Sequence, residues 1–178
     1  MNWTGERAIP WVPEVGRVMD QHVMRYAWAL QFCRGKHVVD LGCGAGYGTY
    51  MLSWVANDVL GIDVDRETID YAWRRFYSDN LCYQVQNLER GPLPARDVCV
   101  AFEVLEHLVD PRGLMDRLQG RVLWSLPIYS DSRFHRHAYN PVKAEQFGGD
   151  IWYQSAAGAI VPKDRAWFKP VNVLGVRG

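Results

Sequence analysis

Two groups of residues have the types and spacing to do chemistry. The first is the run Asp40-Leu-Gly42-Cys-Gly44-Ala-Gly46-Tyr-Gly48, followed by a second acid, Asp63. Glycines carry no side chain, so a ligand can approach such a loop at the backbone. A dinucleotide-type G-x-G-x-x-G frame is not met. Started at Gly42 it puts Tyr47 where a small residue is needed, and started at Gly44 it puts Thr49 there, which disfavours an NAD-linked oxidoreductase. Asp40 brings a carboxylate to a loop that would hold a cation or an amino group. Asp63 closes a strand-like run, where it is placed to accept hydrogen bonds from ribose hydroxyls. Together they suit an adenosine carrying a positive end. Asp63 as a mere helix cap is the weaker reading, because Asp65 already stands at the capping position.

The second group is Glu103, Glu106 and His107, spaced i, i+3, i+4, which would put all three on one face of a helix. His135 and His137 follow in a polar, His/Arg-rich stretch. Carboxylates and an imidazole on one face can orient an acceptor, and an imidazole titrating near neutral pH can take its proton. The same set can also simply cap and solvate the start of a helix.

These groups need a scaffold, and hydrophobic periodicity supplies an alternating one. After a lead punctuated by Pro10 and Pro13, the residues Met19, Val23, Tyr26, Ala27 and Leu30 form one helical face ending near Gly35. His37 to Leu41 reads as a buried strand, and Tyr47, Tyr50, Met51, Trp54 and Val55 as a helical stripe. Val59 to Ile62 is the next strand, followed by a helix carrying Ile69, Ala72, Trp73 and Phe76. Residues 81–86 and 97–102 are strands three and four. The ten residues between them are close to the lower limit for joining parallel neighbours, with room for a short or distorted helix only. Residues 103–119 are expected to be helical, restarted at Asp110-Pro111. Residues 121–126 form strand five, and a short helix runs from Asn140-Pro141 to Phe147. The tail, 150–176, reads as two strands around Lys163-Asp164, an antiparallel hairpin at the sheet edge. The expected fold is a single α/β domain over 1–178. It is a Rossmann-like, doubly wound, mostly parallel sheet with an antiparallel C-terminal edge hairpin. Within it, residues 1–36 form an N-terminal lid and helix segment, 37–126 a cofactor-binding core, and 127–178 the substrate side.

Composition bounds the possibilities. The 178 residues carry 20 Lys+Arg and 20 Asp+Glu, with 48% hydrophobic residues, so a globular core is available and a global positive field for nucleic acid is not. The charge is uneven: residues 37–132 hold 8 basic and 14 acidic side chains, and the flanks are basic by the same margin. Cys33, Cys43, Cys82 and Cys99 are scattered, which indicates neither a disulfide framework nor structural zinc. No apolar run reaches signal-peptide or membrane-span length. A cytoplasmic location, with no membrane partner, is expected.

With the motifs in view, the chain resembles the class I S-adenosylmethionine-dependent methyltransferases. The matching stretches are Val39-Asp-Leu-Gly-Cys-Gly-Ala-Gly46, Gly61-Ile-Asp-Val64 and Phe102-Glu-Val-Leu-Glu-His-Leu108, in the family's order and spacing. The resemblance implies that the loop packs against the methionine part of S-adenosyl-L-methionine, that Asp63 binds its ribose, and that Asn87, normally an acid, sits beside the adenine. The implied cofactor-binding set is Asp40, Gly42, Cys43, Gly44, Gly46, Asp63, Val64, Asn87, Leu88 and Phe102. Thr4-Gly-Glu-Arg7 and His22-x-x-Arg25-Tyr26 look like a subgroup of small bacterial and phage methyltransferases often associated with glycan synthesis. In such proteins Arg25 and Tyr26 would reach the cofactor carboxylate, although a helix residue such as Tyr26 is more often part of the core.

For the acceptor side, the resemblance leaves three readings of Glu103, Glu106 and His107 open. In certain small-RNA and quinone-precursor O-methyltransferases a similar acid-x-x-acid-His stretch binds a divalent ion, here with His135 or His137 as a further ligand. The second reading is a metal-free polar wall with His107 as general base and Glu103 beside it, and the third is a helix cap. No Asn/Asp-Pro-Pro-Tyr/Phe follows strand four, a motif with which resembling amino-methyltransferases hold a planar nitrogen. The absence of that motif points to an oxygen or carbon acceptor. The expected reaction is O-methylation of a small-molecule or glycan-like acceptor, with no metal in the expected site, and nucleic acid is not the expected substrate. With no separate substrate domain, the acceptor must be gripped by the N-terminal helix, the 127–147 loop and, in a homo-oligomer, a second subunit. A cofactor-binding module that serves another protein without turnover has the same loop and is the alternative.

Overall fold

A computed structural model describes residues 16–130 and 132–178. Thr4–Arg7, Pro10 and Pro13 lie outside the described residues. Five parallel strands, β1 (His37–Leu41), β2 (Asp58–Asp63), β3 (Leu81–Val85), β4 (Val98–Phe102) and β5 (Arg121–Pro127), stand in the order β3-β2-β1-β4-β5. Three antiparallel strands extend the β5 side in the order β8 (Asn172–Arg177), β6 (Asp150–Gln154), β7 (Ile160–Pro162).

The parallel strands read as unbroken apolar runs because helices cover both faces. Along β4 the side chains alternate. Val98, Val100 and Phe102 pack with α1 (Gly16–Cys33), α2 (Tyr47–Ser53) and α3 (Arg66–Arg75) through Tyr26, Ala29, Leu52, Ile69 and Ala72. Cys99 and Ala101 face the other layer, with Leu114 and Met115 of α4 (Pro111–Arg117) and Ala144 of α5 (Pro141–Glu145). Within the helices the expected faces need adjustment. Ala27, Trp54 and Trp73 are exposed, whereas Arg25, Ala29 and Cys33 are buried. Among the described residues no helix is long and apolar enough to cross a membrane.

Three expectations are corrected. The 87–96 connection contains no helix and does not join neighbours: β1 and β2 lie between β3 and β4, so a non-helical segment with a turn at Asn87–Arg90 makes the crossover. The helix expected over 103–119 restarts at Asp110-Pro111 as expected, but its first part is not an α-helix. Glu103 takes a left-handed backbone (φ 57°), a 3-10 turn spans Leu105–His107, and α4 starts only at Pro111, with the Asp110 carboxylate accepting from Gly113 N at 2.8 Å. The restart follows because the residue before a proline disfavours helical backbone. The tail holds three strands. β6 and β7 form the hairpin, a 3-10 turn covers Lys163–Arg165, and β8 inserts between β5 and β6. That insertion fits because Gly175 presents no side chain to Trp124: a Cβ there would lie 2.2 Å from the indole ring.

Candidate active site

The carboxyl ends of the parallel strands open into a cavity of about 750 Å³. Glycines shape its floor. Gly42 (φ 69°) lies so close to Val104 that a Cβ would meet it at 2.5 Å, and Gly44 (φ 52°), on the cavity wall, has nothing within 4 Å of such an atom. Gly46 (φ 87°) lies behind the wall, turning the chain into α2 against Ala72 and Tyr83. Asp63 braces the loop: its Oδ2 accepts from Gly44 N and its Oδ1 from Asp65 N, each at 3.0 Å. Val64, Asn87, Leu88 and Phe102 also line the cavity with Cys43. Asn87 Oδ1 already caps a turn by accepting from Glu89 N at 2.9 Å.

Asp40 does not reach the cavity. Its carboxylate is fully buried behind the loop, accepting from Thr49 Oγ1 at 2.7 Å and from Tyr26 Oη at 3.2 Å to each oxygen. The expectation that it faces a cation is therefore corrected: it ties α1 and α2 to β1. Burial pushes this carboxyl up to about 7, with the two hydroxyl donors opposing and the charge of Asp63 assisting.

The opposite wall gathers Glu103, Glu106, His107, Phe134 and His135. Because the expected helix is absent, the three residues of the acid-x-x-acid-His stretch do not share a helical face. Glu103 Oε1 accepts from Ser125 Oγ at 3.0 Å and lies 3.9 Å from Arg25, whose Nη1 donates to Gln154 Oε1 at 2.6 Å. Glu106 is fully buried, and neither carboxylate oxygen has a hydrogen-bond partner among the described residues. Burial, then the charge of Glu103, holds its carboxyl well above the usual range, while its own backbone N–H and then Arg25 oppose. His107 Nδ1 lies 3.0 Å from the Phe134 carbonyl, which can only accept, so that nitrogen carries the proton. The lone pair of Nε2 then stands 4.0 Å from Glu106 Oε1.

His135 packs edge-on against His107, with 5.0 Å between ring centres, and burial, then His107, lowers its pKa while Glu103 opposes. Ligand atoms of Glu106, His107 and His135 lie within 4.8 Å of one another, a set able to hold a metal ion. His137 is turned away onto the Leu108 carbonyl at 2.9 Å. At the mouth, His22 bonds Tyr47 Oη at 3.0 Å; burial, then Arg25, keeps it well below the usual imidazole range. Sequence reasoning missed Ser125, the Phe134 carbonyl and the Gln154–Asn172 pair (2.9 Å) that anchors Arg25. No local signal marks them, since each enters through strand pairing or a loop fold.

The profile of a methyltransferase-domain family matches residues 39–123, the stretch that builds the loop, Asp63 and the Glu106–His107 wall. Residues 39–123 belong to the class I S-adenosylmethionine-dependent methyltransferases. A protein of Mycolicibacterium smegmatis named as a probable S-adenosylmethionine-dependent methyltransferase is 37% identical over 109 residues, 60% of this chain and 42% of its own. One of Mycobacterium tuberculosis with the same description is 33% identical over 140 residues, 78% of this chain and 50% of its own. The chain thus spans about half the length of these curated methyltransferase relatives. Its fold is shared with the N-methyltransferase NodS of Bradyrhizobium japonicum, solved with S-adenosyl-L-homocysteine. The TM-score is 0.68 at 18% identity, covering 96% of this chain and 91% of that one.

Proposed function

We propose that this chain is an S-adenosylmethionine-dependent methyltransferase acting on an oxygen of a small-molecule or glycan-like acceptor. Residues 37–126 hold the cofactor, and 127–178 complete the acceptor side. The observation that carries this reading is one cavity whose floor is the Gly42–Ala45 loop with Asp63 and whose far wall is Glu106 and His107. The residues fit the cofactor. Gly44 leaves open space where a side chain would stand, and beside it the nearly buried Asp63 lines the cavity with the carboxylate that would meet ribose hydroxyls. When bound, S-adenosylmethionine supplies a methyl group already activated on a sulfonium.

The chain's own residues then have three tasks. Gly42, Cys43, Gly44, Asp63, Val64, Asn87, Leu88 and Phe102 bind and orient the cofactor. The buried walls exclude water. His107 Nε2, its tautomer set by the Phe134 carbonyl, takes the acceptor hydroxyl proton and leaves the oxygen an electron pair for the methyl group. Glu103 stands beside it, held by Ser125 and Arg25.

His107→Ala is expected to lower transfer of label from methyl-tritiated cofactor by about 10²-fold or more, with cofactor affinity almost unchanged and no effect of EDTA. One observation favours a second reading: the approach of Glu106, His107 and His135 suits a divalent ion. Against it, Glu103 is engaged with Ser125 and does not join that set. Activity lost to EDTA and restored by Mg²⁺ or Mn²⁺ would move His107 from base to ligand. Full activity in His107→Ala would leave the stretch a purely structural role.

A further inference from the structure

Two loops at the rim of the cavity expose aromatic rings that methyl transfer inside the cavity does not use. Tyr129 stands between Ile128 and Ser130, which both line the cavity, yet its own side chain is 62% exposed. Its backbone is left-handed (φ 57°), an unfavourable conformation for a bulky residue, and is held there by its N–H donating to the Tyr139 carbonyl at 3.0 Å. Trp167 is 78% exposed and meets the ring of Phe168 edge-on, with 5.3 Å between centres. The two loops are tied together. Ile128 N donates to the Val171 carbonyl at 2.8 Å, and Lys169 Nζ lies 5.0 Å from the centre of the Tyr129 ring. Val171, like Ile128, lines the cavity, so the aromatic shelf continues the cavity wall outward.

We propose that this shelf is a binding site for a glycan chain: while one sugar enters the cavity, its neighbours along the chain stack on Tyr129 and Trp167. The C–H groups on the face of a sugar ring carry a slight positive charge, and the face of an aromatic ring carries a negative one. Stacking therefore needs an aromatic ring open to solvent, as both of these are. A sugar also brings hydroxyl oxygens, which need donors beside the stack. Ser130 Oγ and Ser132 Oγ, on the cavity wall next to Tyr129, accept from Ser132 N at 3.4 Å and from Phe134 N at 3.3 Å. Neither hydroxyl proton has an acceptor among the described residues, so both can be donated to a ligand oxygen. A single-ring acceptor inside the cavity would leave the shelf bare, and a lipid surface would meet the rings without engaging the hydroxyls on the cavity wall. The proposal rests on the methyl-transfer reading and adds to that site the subsite that would favour a chain over a monomer.

Calorimetry on the whole chain, saturated with S-adenosyl-L-homocysteine, tests the proposal with maltohexaose, cellohexaose, laminarihexaose and α-1,6-mannohexaose against glucose and mannose. At least one hexasaccharide is expected to bind about tenfold or more tighter than its own monosaccharide. Trp167→Ala, at an exposed position, and Tyr129→Gly, which suits the left-handed backbone, should each weaken that hexasaccharide about tenfold or more. Trp167→Phe keeps an aromatic face and should keep most of the affinity, and the affinity for S-adenosyl-L-homocysteine should be unchanged in all three variants. Absence of binding by all the hexasaccharides, no gain from chain length, or indifference to Trp167→Ala overturns the proposal. So does sedimentation with phosphatidylcholine–phosphatidylglycerol vesicles that Trp167→Ala abolishes, or retention on single-stranded RNA that the same change abolishes, because the shelf would then serve a lipid surface or a nucleic acid. The cofactor product is titrated separately: if it fails to bind, the methyl-transfer reading falls, while hexasaccharide binding by the chain alone still decides the role of the shelf.

Discussion

Asp63 and Asp40 are two acids on neighbouring strands with opposite assignments. Asp63 is nearly buried yet faces the cavity and takes two backbone N–H groups. Asp63→Ala removes both the brace on Gly44 and the hydroxyl acceptor. It is expected to weaken S-adenosylmethionine and its demethylated product by about 1.5–3 kcal/mol, measurable by calorimetry. Asp40 faces inward, and burial raises its carboxyl to about 7. Below the ordinary carboxylate range it is protonated both folded and unfolded. As pH climbs toward 7 only the unfolded chain releases the proton, so this group's contribution to stability falls through that window and levels off above it. Thermal melts of wild type and Asp40→Asn should therefore converge or cross as pH rises from about 4 to 7 and run parallel beyond, with the steeper fall in wild type. A parallel pair of curves throughout would show that Asp40 ionises as freely as an exposed acid.

At the level of elements, the glycine loop was legible because its conformation demands particular residues. Gly46 has φ 87°, and a Cβ there would lie 2.6 Å from the Cβ of Ala72 and 2.9 Å from Tyr83 Oη. Gly46→Ala should cost about 2–4 kcal/mol in urea unfolding, from the left-handed backbone and overpacking together. Gly91→Ala meets nothing within 4 Å at φ 78° and should cost only about 1–2 kcal/mol. Of the helix expected over 103–119, the restart at Pro111 holds and the first part does not, because i, i+3, i+4 spacing does not record a left-handed Glu103. That residue's backbone N–H turns toward Ser125 Oγ at 3.2 Å, on the neighbouring strand. Tertiary contacts outweigh helix propensity over so short a stretch.

For the whole molecule, β8 is the strand on which the C-terminal third depends. It pairs with β5 on one side and β6 on the other, covering Leu123 and Trp124, both fully buried. A chain ending before Asn172 would expose the β5 edge, and size-exclusion chromatography should find it aggregated, with near-UV dichroism lost. A monomeric, dichroic truncation would show that the parallel core stands without this cover.

What the sequence determined by itself is local: the parallel strands, the turns at their carboxyl ends, the Asp65 and Asp110 caps, and the loop with Asp63. Each follows from a residue type answering a backbone requirement within a few positions, as glycine does at positive φ and Asp at a helix start. What only the tertiary structure decided is long-range. Asp40 faces the core because Tyr26 and Thr49 meet there, β8 enters beside β5, and the Phe134 carbonyl sets the tautomer of His107 across 27 positions. Pairing and burial between distant segments leave no periodic trace in either segment alone. The orientation of the Glu106–His107 wall was settled only when the chain closed on itself.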